Sequence, residues 1–257
     1  MPAIVADDLE VEYFVDGSGT PTVLLHGSSM DAETNFGPIL GLLGPGRTLI
    51  RPNFSGSGNT PLPPGELSLA RLTEQAVAVI GRAAAGPVDL VGFSLGAVVA
   101  ADVAARHPDL VDRLVLVAGW PDSAEPRLHL GFESWARAME VDPDLASRQG
   151  PLMAFSPAFL SSIGAEGIAL IRSGAPAPGT GAQVDLCRRV DIRDELRAVL
   201  APTLVVGCAL DYLVPVQNSR ELHRAIAHSR YVELECGHVA TAERPQELAD
   251  ALTRFLA

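Results

Sequence analysis

The segment from residue 88 to residue 101 constrains the fold more than any other part of the sequence. Its first six residues are mostly Val, Leu and Phe, which is typical of a buried strand, and the residues after Ser94 are mostly Ala, Val and Leu, which is typical of a closely packed helix. A strand that passes directly into such a helix requires a sharp turn at Ser94. Gly92 and Gly96 flank this turn, where a larger side chain would collide with the neighbouring strand or helix.

The turn places Ser94 in a strained backbone conformation that exposes its hydroxyl, and Gly-x-Ser-x-Gly in this setting is the pattern of a nucleophile elbow. A serine hydroxyl is a poor nucleophile at neutral pH, so it needs a base and a carboxylate that orients the base. Asp211 follows a predicted strand at 203–208, and His238 follows another at 231–235. The order Ser, Asp, His along the chain predicts a catalytic triad of Ser94, Asp211 and His238.

These motifs resemble those of the α/β-hydrolase superfamily, in particular its serine esterases and lipases, and the resemblance covers nearly the whole chain. The strand and the His-Gly turn at 23–27 resemble the family segment that precedes the oxyanion hole. The resemblance implies that the backbone amides of Ser28 and Leu95 donate to the oxyanion and that His26 is a structural residue of the turn. It also implies that the reaction needs no metal and no organic cofactor.

Two segments depart from the family pattern. Relatives commonly carry Asp where this chain has Asn53 and Arg where it has Ser55, so any salt bridge between such residues is predicted to be absent. The spacing from Gly207 to Asp211 is one residue longer than the commonest family spacing. Because some α/β-hydrolases carry the carboxylate after the preceding strand of the sheet, Asp122 is the alternative to Asp211.

Short β-branched segments alternate with helical segments along the chain, which predicts an α/β fold with a mostly parallel sheet covered by helices on both faces. Together with the resemblance, this indicates the α/β-hydrolase fold, with an eight-stranded sheet that begins with an antiparallel pair. The predicted strands cover residues 3–6, 10–15, 22–26, 48–51, 88–93, 114–118, 203–208 and 230–234, and the predicted helices include residues 67–84, 95–106, 219–227 and 245–255.

Residues 119–190 interrupt this alternation, because they separate two sheet strands by far more than a usual crossover. They are predicted to form a helical cap inserted after the sixth strand, whereas residues 1–118 and 191–257 form the core domain. The Gly- and Pro-rich residues 173–181 are predicted to lack regular structure and to act as a lid or a linker. Four aromatic residues of the cap are predicted to line an apolar substrate pocket, with burial in the cap's own core as the alternative: Trp120, Phe132, Trp135 and Phe155.

Composition excludes several classes of protein. The net charge of −12 repels phosphate backbones and anionic lipid surfaces, which argues against binding to nucleic acids or membranes. No apolar run approaches the roughly 20 residues that span a bilayer, and the first residues lack the pattern of a secretory signal. The three cysteines show no metal-ligand spacing and cannot all pair, so a cytoplasmic protein without a metal site is expected. All 19 basic residues are Arg, which favours a GC-rich bacterial source.

The expected activity is that of a carboxylesterase-like serine hydrolase. It would cleave a small, largely apolar carboxylic ester, lactone or thioester through an acyl-enzyme on Ser94. Serine rather than aspartate at this position argues against haloalkane or epoxide hydrolysis. The alternatives are a carbon–carbon bond hydrolase, a cofactor-free perhydrolase, a hydrolase or cyclase of a biosynthetic pathway, and a non-catalytic ligand-binding protein. The serine at position 28 resembles the carbon–carbon hydrolases of the family and favours the first of these. The sequence does not determine the oligomeric state.

Overall fold

The computed structural model of the protein describes residues 2–6, 9–174 and 176–257. Eight strands form one sheet: β1 (Ala3–Ala6), β2 (Leu9–Gly17), β3 (Thr20–Leu25), β4 (Arg47–Pro52), β5 (Val88–Phe93), β6 (Val111–Val117), β7 (Thr203–Cys208) and β8 (Ser229–Leu234). Their order across the sheet is β1-β2-β4-β3-β5-β6-β7-β8. β1 pairs antiparallel with β2, and β2 pairs antiparallel with β4, whereas the other neighbours are parallel. The predicted α/β fold with a mostly parallel eight-stranded sheet is confirmed.

The described residues also form ten α-helices: α1 (Ala32–Leu40), α2 (Leu69–Ala83), α3 (Leu95–Arg106), α4 (Pro126–Val141), α5 (Pro143–Ala154), α6 (Pro157–Ser173), α7 (Thr180–Cys187), α8 (Val216–Ala225), α9 (Ala240–Glu243) and α10 (Pro245–Leu256). Two short 3-10 turns lie at Pro108–Leu110 and Glu195–Ala198. Among these helices, none is long and apolar enough to cross a membrane.

Helices cover both faces of the sheet and create two apolar cores. One core packs α2, α3 and α8 against the sheet and contains Leu72, Val99 and Leu222. The other packs α1 and α10 against the opposite face and contains Phe36 and Leu252. Every residue of β5 and β7 is buried as a result, which is the environment that favours continuous apolar strands. The central strands therefore hold the loops at their carboxyl ends on a rigid base.

The predicted element bounds are reproduced for β1, β5, β7 and α3. α1 was not predicted, because it contains both a glycine and a proline. The prediction of irregular structure over 173–181 is wrong at its ends, since Ser173 closes α6 while Thr180 and Gly181 belong to the first turn of α7. Residue 175 of this segment lies outside the described residues. Burial of the Thr180 side chain stabilises that turn despite the neighbouring glycines.

The connection between β6 and β7 carries four of the helices, and it is called the α4–α7 segment below. It contains the residues that the sequence predicts to form a cap. A kink at Gly164, where φ is 64°, divides α6, because a residue in the left-handed region cannot continue a right-handed helix. The segment returns to the sheet through α7, whose contacts with the core loops are described below.

Candidate active site

Ser94 lies at the sharp turn between β5 and α3. Its backbone has a φ of 55° and a ψ of −120°, a conformation that costs a non-glycine residue free energy and is retained only when the surrounding structure enforces it. A Cβ atom on Gly92 would overlap the carbonyl of Gly96, and one on Gly96 would overlap the carbonyl of Leu25. The two glycines therefore allow β5, α3 and β3 to approach closely enough to hold the turn.

The three residues of the predicted triad meet at the carboxyl ends of three strands. Ser94 Oγ lies 2.9 Å from His238 Nε2, and His238 Nδ1 lies 2.6 Å from Asp211 Oδ2. All three side chains are buried. The second carboxylate oxygen of Asp211 accepts hydrogen bonds of 2.8 Å from the amides of Leu213 and Val214. The carboxylate thus orients the imidazole, with Nδ1 donating to it and Nε2 facing the serine hydroxyl.

The extra residue between Gly207 and Asp211 is accommodated by pairing with the loop after β8. The amides of Ala209 and Leu210 donate to the carbonyls of Leu234 and Cys236, each at 2.9 Å. This pairing extends the contact between β7 and β8 and brings Asp211 to His238.

The alternative carboxylate, Asp122, lies in a different environment. It accepts a hydrogen bond of 2.8 Å from the amide of Ala124 and lies 3.7 Å from the guanidinium of Arg193. No hydrogen bond joins Asp122 to His238 in the described part of the chain. The geometry therefore favours Asp211 as the partner of the imidazole.

The backbone amides of Ser28 and Leu95 have no acceptor among the described residues. The Leu95 amide lies at the N-terminus of α3, where the helix dipole favours negative charge. The backbone around Ser28 is fixed by side chains: the Gly27 amide donates to Asn35 Oδ1 at 2.9 Å, and the Ser29 amide donates to Gln183 Oε1 at 3.0 Å. The Ser28 amide is thus left free between two anchored neighbours.

His26 is completely buried at the base of this loop. The Phe54 amide donates to His26 Nε2 at 3.0 Å, so the proton of the neutral ring lies on Nδ1, which donates to the Gly27 carbonyl at 2.7 Å. Burial lowers the pKa of His26 to about 4, although the hydrogen bond to Gly27 opposes this shift. These contacts agree with a structural role for His26 in the turn.

Neutral side chains hold the turn after β4, where the family commonly has charged ones. The Asn53 side chain accepts from the Ala32 amide at 2.8 Å and donates to Glu12 at 2.7 Å, while Ser55 exchanges hydrogen bonds with Gln75. Burial alone would raise the pKa of Glu12, but hydrogen bonds from Asn59 and Asn53 more than offset it and lower the pKa.

A buried carboxylate supports the loop that carries His238. Glu243 accepts hydrogen bonds from the Gly237 amide at 3.1 Å, from the Ser156 amide at 2.8 Å and from the Ser156 hydroxyl at 2.6 Å. A Cβ atom on Gly237 would meet the backbone of Phe155 at 2.7 Å, so the connection between α5 and α6 packs directly on this loop. Glu243 is not predicted from the sequence, because no local pattern marks a carboxylate whose partners lie in a distant segment.

The four aromatic residues predicted to contact substrate lie in two environments. Trp120 and Phe132 are fully buried in the core, with ring centroids 5.3 Å apart, and Trp120 Nε1 donates to Ser123. Trp135 is half-buried against the same core, while the half-buried Phe155 stacks on a neighbouring phenylalanine of α6. Trp120 and Phe132 therefore lie in a core, which is the alternative to substrate contact that the sequence left open. Contact of any of the four residues with substrate stays a prediction.

No group of three or more His, Cys, Asp or Glu side chains within residues 2–6, 9–174 and 176–257 is arranged to hold a metal ion. The three cysteines are unpaired and buried. The polar groups near Ser94 include the His238 imidazole, the Asp211 carboxylate and the free amides of Ser28 and Leu95.

A mostly parallel sheet with a serine at a strained strand–helix turn, and with an aspartate and a histidine after later strands, defines an α/β-hydrolase. The chain belongs to this family, because the sequence model of the alpha/beta hydrolase family matches residues 22–251.

Known relatives resemble the chain over its whole length. It is 36% identical to a pyrrolizixenacetamide deacetylase of Xenorhabdus hominickii, with 100% of this chain and 98% of the relative covered. It is 30% identical to a pimeloyl-[acyl-carrier protein] methyl ester esterase of Aeromonas hydrophila subsp. hydrophila, with 96% and 99% covered. The enol-lactonase of Burkholderia xenovorans LB400 shares the fold, with a TM-score of 0.89 over 99% of both chains at 22% identity. The chain is a hydrolase of this family.

Proposed function

We propose that the protein is a serine hydrolase that cleaves small, largely apolar carboxylic esters, lactones or thioesters through an acyl-enzyme on Ser94. The observation that carries this proposal is the continuous hydrogen-bond chain from Asp211 through His238 to the Ser94 hydroxyl. The free amides of Ser28 and Leu95 support it, because an oxyanion hole requires donors that no protein group occupies.

The reaction follows from these roles. His238 Nε2 removes the proton of Ser94 as the serine oxygen attacks the substrate carbonyl carbon, and the amides of Ser28 and Leu95 stabilise the oxyanion. Asp211 stabilises the imidazolium that forms. This imidazolium then gives its proton to the departing alkoxide or thiolate, and the acyl-enzyme remains. A water molecule deprotonated by His238 attacks the acyl carbonyl, and collapse releases the carboxylic acid and restores the Ser94 hydroxyl.

Hydrolysis of an acetamide is the second candidate reaction. Similarity along the whole chain to the pyrrolizixenacetamide deacetylase of Xenorhabdus hominickii supports it. The same residues would perform it, but the leaving group would be an amine, so protonation by the His238 imidazolium would be essential for C–N cleavage. An amide substrate therefore places a stricter demand on the position of His238 than an activated ester does.

Hydrolysis of p-nitrophenyl esters of increasing acyl length tests the proposal. We expect the wild type to be active and Ser94→Ala to lose roughly 10⁴- to 10⁶-fold in kcat/KM. Ser18→Ala, which changes an exposed serine far from the triad in sequence, is the matched control and should retain full activity. The preferred acyl length would then measure the size of the acyl pocket. An active Ser94→Ala enzyme would refute the role of Ser94.

A second set of substrates separates the alternatives. Turnover of p-nitroacetanilide would identify amide hydrolysis, cleavage of a vinylogous 1,5-diketone would identify a carbon–carbon hydrolase, and peracid formation from acetate and peroxide would identify a perhydrolase. If no substrate is turned over, reaction of Ser94 with a fluorophosphonate would indicate an active triad with a more specialised substrate. Failure of that reaction would favour a ligand-binding protein.

A further inference from the structure

One face of α7 contacts the loops around Ser94 at three positions spaced four residues apart. Residues with this spacing lie on the same side of a helix. At the first, which caps α7, the Gly179 amide donates to the Gly56 carbonyl at 2.7 Å. The second is Gln183, and at the third the fully buried Cys187 thiol lies near the Ser28 side chain. The α4–α7 segment thus reaches the loop that contains the proposed oxyanion donor.

Gln183 is fully buried and all the polar atoms of its side chain have partners. Its Oε1 accepts from the Ser29 amide at 3.0 Å, while its Nε2 donates to the Ser55 carbonyl and to Ser57 Oγ, both at 3.0 Å. Burying a side-chain amide is costly unless its hydrogen bonds are made. The three partners lie in the loops that follow β3 and β4, so the Gln183 side chain has no hydrogen bond within α7 itself.

These bonds fix the backbone next to Ser28. Ser29 has a φ of 67°, in the left-handed region that a serine adopts only when it is held there. Gln183 accepts from the Ser29 amide, and Ser57, which accepts from Gln183, donates to the Met30 carbonyl at 2.8 Å. The Ser28 amide belongs to the peptide unit whose carbonyl, that of Gly27, accepts from His26 Nδ1, and the next peptide unit carries the Ser29 amide that Gln183 holds. Loss of the Gln183 bond therefore frees the backbone on one side of the donor.

We propose that Gln183 is a positioning residue for the oxyanion hole, which holds the Ser28 amide in the direction that the reaction requires. This inference rests on the proposed function, since it assigns the Ser28 amide as an oxyanion donor. In this role α7 acts on the chemical step. A residue that only fastens α7 to these loops would affect the stability of the protein and the binding of substrate. It would not selectively lower the stabilisation of the transition state, and kcat would therefore stay unchanged.

The test compares Gln183→Met with the wild type. Methionine has nearly the same length and is apolar, so it removes the three hydrogen bonds with little change in volume. Loss of one oxyanion donor lowers kcat by about 10²- to 10³-fold, and a displaced donor should cost less, so we expect kcat for p-nitrophenyl acetate to fall roughly 10- to 100-fold. KM should change by less than about threefold. Gln149→Met, at a half-buried glutamine of α5, is the matched control and should retain the wild-type kcat.

Inhibition by a trifluoromethyl ketone separates the two roles, because a residue that only fastens α7 would not change the inhibition constant. It forms a tetrahedral adduct on the serine, with its oxyanion in the hole, so its inhibition constant should rise by the same factor by which kcat falls. If Gln183→Met is not folded, Ser57→Ala takes its place. That variant removes one bond of Gln183 and the bond to Met30, and kcat should fall about 3- to 10-fold.

The failure of this inference differs from the failure of the proposed function. An inactive wild type that a fluorophosphonate does not label would refute the proposed function. An active wild type whose folded Gln183→Met variant keeps kcat and the inhibition constant within twofold would refute only the role of Gln183. The same conclusion would follow if kcat remained unchanged while KM alone rose.

Discussion

Acidification from pH 8 to pH 5 is expected to lower the unfolding free energy by about 2 kcal/mol through His26 alone. Its imidazole is completely buried, and burial lowers its pKa from the ordinary 6.5 to about 4. In the folded protein Nε2 must accept from the Phe54 amide. If Nε2 were protonated, its N–H would face the Phe54 N–H and the hydrogen bond would be lost. Protonation of His26 is therefore unfavourable in the folded state.

The direction of the effect follows from proton binding in the two states. Below pH 6.5 the unfolded chain takes up a proton at His26, whereas the folded protein does not until the pH approaches 4. Protonation therefore stabilises the unfolded state over this interval. The contribution of His26 to stability is complete above about pH 7, is reduced by about 2 kcal/mol at pH 5 and by about 3 kcal/mol at pH 4.

Urea unfolding at pH 8, 7, 6 and 5 measures this contribution when wild type and His26→Gln are compared. Glutamine offers a donor and an acceptor but does not titrate in this range, so all other groups contribute equally to both proteins. The variant should be less stable than the wild type at pH 8 and should lose about 2 kcal/mol less on acidification. His129→Gln, at an exposed histidine of α4, should retain the wild-type dependence. Identical pH dependence in wild type and His26→Gln would refute the reasoning.

Three further predictions concern the catalytic site and its support. Asp211→Asn should lower kcat by about 10⁴-fold without unfolding, measured on p-nitrophenyl acetate. Gly96→Ala should prevent folding because its Cβ would overlap a backbone carbonyl, whereas Gly81→Ala, with nothing within 4 Å, should be tolerated; a soluble Gly96→Ala protein with the wild-type melting temperature would contradict this. Glu243→Leu leaves two buried amides unpaired and should cost about 2 to 6 kcal/mol in urea unfolding, whereas Glu243→Gln, which keeps an acceptor, should cost about 1 to 2 kcal/mol. Equal losses in these two variants would argue against the hydrogen bonds as the cause.

Local sequence patterns predicted the strands well but missed the short helices α1 and α9. β5 and β7 are short apolar runs bounded by turn residues, which is a strong local signal. α1 was missed because Gly37 and Pro38 interrupt the composition expected of a helix. Its start is nevertheless marked by a capping box between Asp31 and Thr34, and this short-range pattern was the available signal.

The candidate site also contains some residues that local patterns predict and others that they do not. Ser94, Asp211 and His238 each follow a predicted strand, so their meeting at one edge of the sheet could be expected from local motifs. The residues that hold their surroundings could not be expected. Gln183 contacts Ser29, 154 positions away, and Glu243 contacts a serine 87 positions away. A buried glutamine or glutamate has no local pattern that reveals such partners, because their pairing depends on how α7 and α9 pack.

The α4–α7 segment is bonded to two separate parts of the catalytic site. Through Gln183 it holds the loop of the proposed oxyanion donor, and through Ser156 and Glu243 it holds the loop that carries His238. In the proposed reaction, the first loop stabilises the charge of the transition state and the second carries the base that transfers the proton. Because both contacts belong to one segment, a shift of that segment changes both loops at once. Substitutions within it should therefore alter kcat as well as substrate preference, even where they do not contact the substrate.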